Sequence, residues 1–162
     1  MEHSPIKRHP SLQPLSRHHF HGLVIAQNLL RVGTDPDGLA IMDVQADLAE
    51  FWSSGGRDHF REEEEILLPV YSRYASLDRP EVSEMLLEHI RIRSLVDQIV
   101  TRQVESVAVM HELGALLRDH IRKEERVIFP LIEAALPTDE LERLETQFAD
   151  PSPTARKSFH RP

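Results

Sequence analysis

The chain contains no cysteine. Disulfides, thiolate metal sites, Cys-ligated iron–sulfur clusters and cysteine nucleophiles are therefore excluded. Aromatic residues are scarce, at 6% against 40% hydrophobic residues overall. A core of Leu, Ile, Val and Ala suits packed helices better than a sheet. Basic residues are outnumbered, 19 Lys and Arg against 27 Asp and Glu, for a net charge of -8. An extended basic face for nucleic acid is not expected. No apolar run approaches the ~18 residues of a membrane span, and residues 1–15 lack an apolar signal segment. We expect a cytoplasmic protein with neither a nucleic acid nor a membrane as partner. What the sequence does have is histidine, ten residues among 162. That length is enough for one domain with a real core.

Two of the histidines open an internal repeat. His59-Phe60-Arg61-Glu62-Glu63-Glu64-Glu65-Ile66-Leu67-Leu68-Pro69 returns as His120-Ile121-Arg122-Lys123-Glu124-Glu125-Arg126-Val127-Ile128-Phe129-Pro130. Each residue of a helix turns by about 100°, so a Glu four places after a His lies only about 40° round from it. His59 with Glu63, and His120 with Glu124, each present an imidazole and a carboxylate from one face. Glu64 and Glu125 sit about 140° from their His on a regular helix and are the fallback ligands.

The rest of the chain reads as helices around that repeat. Residues 1–13 are polar, carry Pro5 and Pro10, and read as a flexible arm. A first helix starts near Pro14 and stops at Gly33, with His19 near the middle of its apolar arc and His18 and His21 towards the margins. Asp35 or Asp37 is placed to cap a long second helix. Its inward row is Ile41, Val44, Leu48, Trp52, Gly55, His59, Glu63, Ile66 and Val70, unbroken through Gly55-Gly56, where a local break is the competing expectation. Pro69 and Pro130 each predict a kink or an ending. A third helix opens at Asp78-Arg79-Pro80, with the row Val82, Met85, His89, Ile92, Val96 and Ile99. Ser106 caps a fourth, with the row Val109, Leu113, Leu116, His120, Glu124, Val127 and Leu131. These helices form an up-down-up-down antiparallel four-helix bundle over residues 14–137. A short C-terminal helix follows at 138–149, with Asp139 and Glu142 spaced as a capping box, and a disordered tail at 150–162.

A lone His on an apolar helix face is more often a hydrogen-bonded core residue than a ligand, and a run such as Glu62–Glu65 is ordinarily a solvated face. Arg61, Arg122 and Lys123 fit exposed ion pairs. The pattern as a whole reads otherwise. Four helices each turn one His inward, and two of them add a Glu on the same row. Two buried carboxylates without a cation cost several kcal/mol each or become neutral. Divalent ions reverse that cost. The candidate metal ligands are His19, with His18 and His21 as the competing candidates on the first helix, His59, Glu63, His89, His120 and Glu124. Mixed imidazole and carboxylate suits iron, with zinc or manganese possible. No His has a Glu three places before it, and no His-Glu-x-x-His is present, so the ferritin-like and zinc-protease patterns are absent.

With His19 in Arg17-His18-His19-Phe20-His21, the doubled His-x-x-x-Glu and His89, the chain over roughly 15–135 resembles the hemerythrin HHE cation-binding family. The resemblance implies a non-haem di-iron centre with two glutamates shared between the irons and an oxo or hydroxo bridge. Oxygen-carrying members have five His ligands, two of them four apart on the third helix. Here Met85 and Arg93 flank His89 at those spacings. The set of four His and two Glu is similar to members that sense iron or repair iron centres. The function expected is therefore sensing or handling of oxygen, nitric oxide or iron, with a small diatomic ligand as partner. The alternatives are a di-iron enzyme reducing peroxide or nitric oxide, and a metal-free helical interaction module.

Overall fold

The computed structural model describes residues 6–34 and 38–149, and every regular element among them is helical. A 3₁₀ turn over Pro10–Leu12 leads into α1 (Gln13–Arg31). Pro14 sits in its first turn, where a missing N–H costs nothing. Gly33 closes it at φ +68°, a left-handed conformation that favours glycine. Three long helices follow: α2 over residues 41–72, α3 over 80–101 and α4 over 107–135. Ser106 caps α4, its side chain accepting the Val109 N–H at 3.3 Å. The short α5 (Thr138–Ala149) completes the chain. Asp35 and Asp37, expected to cap α2, lie outside the described residues, and the cap position is Ala40.

Packing gives the direction of each helix. One apolar core joins Ile25, Ala26 and Leu29 of α1 to Val44 and Leu48 of α2, Ile92 and Val96 of α3, and Met110 and Leu113 of α4. A second joins Leu15 of α1 to Leu67 and Tyr71 of α2, Val82 and Met85 of α3, and Ile128 and Ile132 of α4. The C-terminal halves of α1 and α3 therefore meet the N-terminal halves of α2 and α4. That is an antiparallel, up-down-up-down four-helix bundle. Gly114 lets α1 and α4 approach closely. A Cβ there would stand 2.9 Å from the Ala26 carbonyl oxygen and 3.0 Å from Leu29 Cβ.

The long helices are not uniform. Wide π turns occupy Trp52–Gly56 and Glu63–Leu67 in α2, Asp97–Thr101 in α3 and Glu124–Ile128 in α4. The glycine pair therefore widens α2 without breaking it. Each π turn adds a residue, so the inward row advances by one. In the first, Gly56 is buried where Gly55 was expected, and just before it Phe51 is buried in place of Trp52. After the second, Leu67 and Tyr71 replace Ile66 and Val70. In α4, Ile128 and Ile132 replace Val127 and Leu131, and upstream Met110 and Leu117 are buried in place of Val109 and Leu116. The row of α3 is buried as expected. Pro69 and Pro130 neither end nor sharply break their helices. The turn before each is wide, with Leu68 N–H bonded to the Glu63 carbonyl and Phe129 N–H to that of Glu124. A wide turn relieves the crowding of a proline ring on the preceding turn.

Two further expectations are corrected. Within the arm 1–13, residues 1–5 lie outside the described set, but Arg8, Ser11 and Leu12 are buried. Leu12 enters the second core beside Leu141 and Leu144 of α5. Helix α5 begins at Thr138, which puts Asp139 inside the first turn and not at the cap of a capping box. Its Glu140 is buried and accepts hydrogen bonds from Arg73 Nη2 at 3.0 Å and Tyr74 Oη at 3.1 Å. The tail 150–162 lies outside the described residues.

Candidate metal centre

Between the two apolar cores lies one polar layer. It contains His19 of α1, His59 and Glu63 of α2, His89 of α3, and His120 and Glu124 of α4. Four of these (Glu63, His89, His120 and Glu124) are 0% exposed. The six side chains fall into two groups joined by the glutamates. In the first, His19 Nε2 and His59 Nε2 are 3.0 Å apart. His59 Nε2 lies 3.0 Å from Glu63 Oε1, and His19 Nε2 lies 2.9 Å from Glu124 Oε2. In the second, His89 Nε2 lies 3.3 Å from both Glu63 Oε2 and Glu124 Oε1, and His120 Nε2 lies 2.8 Å from Glu124 Oε1. Each carboxylate thus turns one oxygen to each histidine pair.

Hydrogen bonding alone does not account for this convergence. Both Glu63 oxygens, Glu124 Oε2 and His120 Nε2 are buried without a hydrogen-bond partner, although imidazoles or carboxylates stand within about 3 Å. Atoms held roughly 3 Å apart without hydrogen-bond alignment are spaced like neighbouring ligands around an ion with bonds of about 2.1 Å. The donor set of neutral imidazole nitrogens and carboxylate oxygens fits borderline divalent ions. The residues present therefore fit a pair of metal ions.

The far side of the imidazoles supports the same arrangement. His19 Nδ1 meets Glu125 Oε1 at 2.6 Å, His89 Nδ1 meets Glu64 Oε1 at 2.7 Å, and His120 Nδ1 meets Glu88 Oε2 at 2.8 Å. A proton kept on Nδ1 by a carboxylate leaves the Nε2 lone pair facing the centre. Each carboxylate is in turn held by a cation: Glu125 by Arg8, Glu64 by Arg93 through a two-pronged pair at 2.8 and 3.0 Å, and Glu88 by Lys123. Glu64 and Glu125, the fallback ligands, are thus braces reaching across to the neighbouring helix. Glu88, Arg93, Lys123 and Arg8 escape a sequence reading because their partners lie on other helices. The one available signal for Glu88 was its position directly before a buried His.

The two halves are related by the repeat: His19 matches His89, His59 matches His120, and Glu63-Glu64 matches Glu124-Glu125. The match fails at one place. The counterpart of Glu88 is His18, which stacks on the His59 ring at 4.8 Å and on Phe51 at 5.3 Å. Among the described residues no carboxylate meets Nδ1 of His59. Phe rings complete the walls, Phe60 stacked on His89 at 4.0 Å and Phe129 on His19 at 5.3 Å. A small cavity, with room for about a water-sized molecule, touches His19, His59, His120 and Glu124. His18, Gly22, Phe51 and Ile121 also line it. His21, the third candidate on α1, is exposed.

Without metal, protons occupy this layer. Burial opposes charge on His19, but contact with Glu124 and Glu125 outweighs it and raises the pKa to about 10. His89 is likewise raised against burial, to about 11, by Glu124, Glu63 and Glu64. His120 is raised against burial to about 9 by Glu124 and Glu88. Glu124 is held well below the usual carboxylate range, since His120, His19 and His89 overcome its burial. Burial lowers His18 to about 4, with His59 and His19 adding repulsion.

A helical bundle with a buried layer of imidazoles and shared carboxylates is the architecture of a cation-binding protein. The chain belongs to the hemerythrin HHE cation-binding domain family, whose family model matches residues 16–132. Comparisons with curated proteins and with solved structures give no match.

Proposed function

We propose that this bundle holds two iron ions in a non-haem di-iron centre and senses or handles oxygen, nitric oxide or iron. His19 and His59 would hold one ion, His89 and His120 the other, and Glu63 and Glu124 would span both. The observation that carries this reading is the division of each carboxylate between the two histidine pairs, with one oxygen for each. A single ion would leave one pair idle, and a metal-free core leaves both Glu63 oxygens and Glu124 Oε2 without an aligned hydrogen bond from the imidazoles around them.

Iron bound by few protein ligands supplies open coordination positions and single-electron steps. The protein's own residues set the conditions. Glu125, Glu64 and Glu88 fix three imidazoles by their Nδ1 protons, so that the ring orientations do not depend on the metal. Leu, Ile and Phe side chains above and below exclude bulk water. The cavity beside His19 and His59 has room for about a water-sized molecule. That size favours sensing or handling of a small ligand over an enzyme acting on a bulky one.

The test is metal analysis of protein purified without a His tag, followed by stopped-flow absorption after mixing the reduced, iron-loaded protein with nitric oxide or oxygenated buffer. Two irons per chain and a rapid spectral change support the proposal. Fewer than one iron per chain from an iron-replete preparation, with no spectral change, would rule it out.

A further inference from the structure

The segment ahead of α1 is fastened to the centre through one side chain. Arg8 is 8% exposed although it stands near the start of the chain. Its guanidinium reaches Glu125 Oε2 at 2.9 Å, the Glu125 carbonyl oxygen, and Glu133 Oε1 at 3.1 Å. It also lies over the Phe129 ring, 5.2 Å from its centroid. The His9 N–H donates to Glu133 Oε1 at 2.9 Å, and Leu12 is sealed into the second core. Two of these contacts, those to Glu125 and Phe129, lead to His19. Glu125 bonds its Nδ1 at 2.6 Å, and Phe129 is stacked on its ring.

The two histidine pairs are not fastened equally. His89 and His120 both have a carboxylate brace, and both braces are anchored from within the bundle, by Arg93 and Lys123. Of the other pair only His19 is braced, and its anchor comes from outside the bundle. His59 has the stacked His18 where a carboxylate would be.

We infer that Arg8 is a positioning residue for the centre: by holding Glu125 and Phe129 against His19, the segment 6–12 acts as a strap that sets how tightly the ion at the His19/His59 position is kept. This inference rests on the two-metal reading above. A guanidinium with one arm on the Glu125 carboxylate and the other on Glu133 has a fixed geometry that a point charge does not give. Removing it frees Glu125 to turn towards solvent and His19 to change rotamer or tautomer, while His89 and His120 keep their braces. Loss of a partner of this kind weakens metal binding by about 10- to 100-fold.

The experiment loads the full chain with two equivalents of cobalt(II), whose visible absorption reports each ion's ligands, and measures release to excess chelator. In Arg8→Ala, one of the two ions is expected to leave at least about 10-fold faster than in the wild type, the other at the wild-type rate. Arg93→Ala should accelerate the other ion, and the double variant both. Arg8→Lys restores the charge but not the second arm to Glu133, so it should recover the rate only in part. Glu133→Ala leaves Glu125 and His19 intact and loosens the strap, so it should move the same ion in the same direction even if Arg8→Ala fails to fold. Unchanged release in Arg8→Ala and Glu133→Ala, or equal acceleration of both ions, would overturn the inference while leaving the two-metal centre standing. A wild type that takes up no cobalt would overturn both.

Discussion

At the level of single residues the decisive distinction is between consecutive glutamates. Glu63 and Glu64 differ by about 100° of helix rotation, as do Glu124 and Glu125. The first of each pair is fully buried in the centre, and the second reaches a histidine of the neighbouring helix. Glu63→Ala and Glu124→Ala are each expected to lose most of the bound metal, because both ions lose a ligand at once. Glu62→Ala and Glu65→Ala should keep it. Full metal content in both of the first two variants would remove the glutamates from the ligand set. On α1, His19→Ala should reduce metal content more than His18→Ala or His21→Ala, since only the His19 nitrogen faces the carboxylates. Equal losses in all three would contradict the placement. The inward residues were legible in the sequence because a four-residue spacing on a helix is a local property. The braces were not, because Glu88 with His120 and Arg8 with Glu125 are contacts between helices that no single periodicity records.

At the level of the element, the helices were legible and their phase was not throughout. Spacings of three and four are kept by regular turns, and each π turn shifts the register by one. Glycine and proline marked the right places in α2 and α4, but composition does not distinguish a kink from a widened turn. The two π turns that start at Glu63 and Glu124 fall at the same point of the repeat, between a buried glutamate of the polar layer and a proline. The regular turn before each keeps Glu63 and Glu124 in phase with the histidine four residues earlier, and the π turn hands the next turn's burial to Leu67 and Ile128. The close contact of α1 with α4 is equally specific. Gly114→Ala would drive a methyl group against the Ala26 carbonyl and Leu29, and overpacking of this kind costs about 1–3 kcal/mol. Urea unfolding should show a lower midpoint with an unchanged slope. A variant as stable as the wild type would mean that α1 and α4 separate without penalty.

At the level of the whole molecule, the centre is a polar layer separating two hydrophobic cores, and on the two-metal reading proposed above it couples metal binding to folding. The metal-free layer is held by protons. His19, His89 and His120 have pKa values raised to about 10, 11 and 9, against 6.5 in the unfolded chain. Their contribution to stability is fully present below pH 6.5 and is lost as pH rises through 9 to 11. The metal-bound form needs those same nitrogens free, so binding expels protons and strengthens as pH rises over the same range. The two forms therefore respond to pH in opposite senses. At saturation about 100-fold above Kd, each ion adds about 2.7 kcal/mol, or roughly 5 kcal/mol for two. In a chain of this size that raises Tm by roughly 10–20 °C. The gap in Tm between the metal-loaded and the chelator-treated protein is expected to widen from pH 6 to pH 9, with the metal-free form losing stability across the interval. Calorimetric titration at pH 7 in two buffers of different ionisation enthalpy should show net proton release on metal binding. A gap that is constant or narrows with pH, with no proton release, would mean that the ions do not bind at the buried imidazoles.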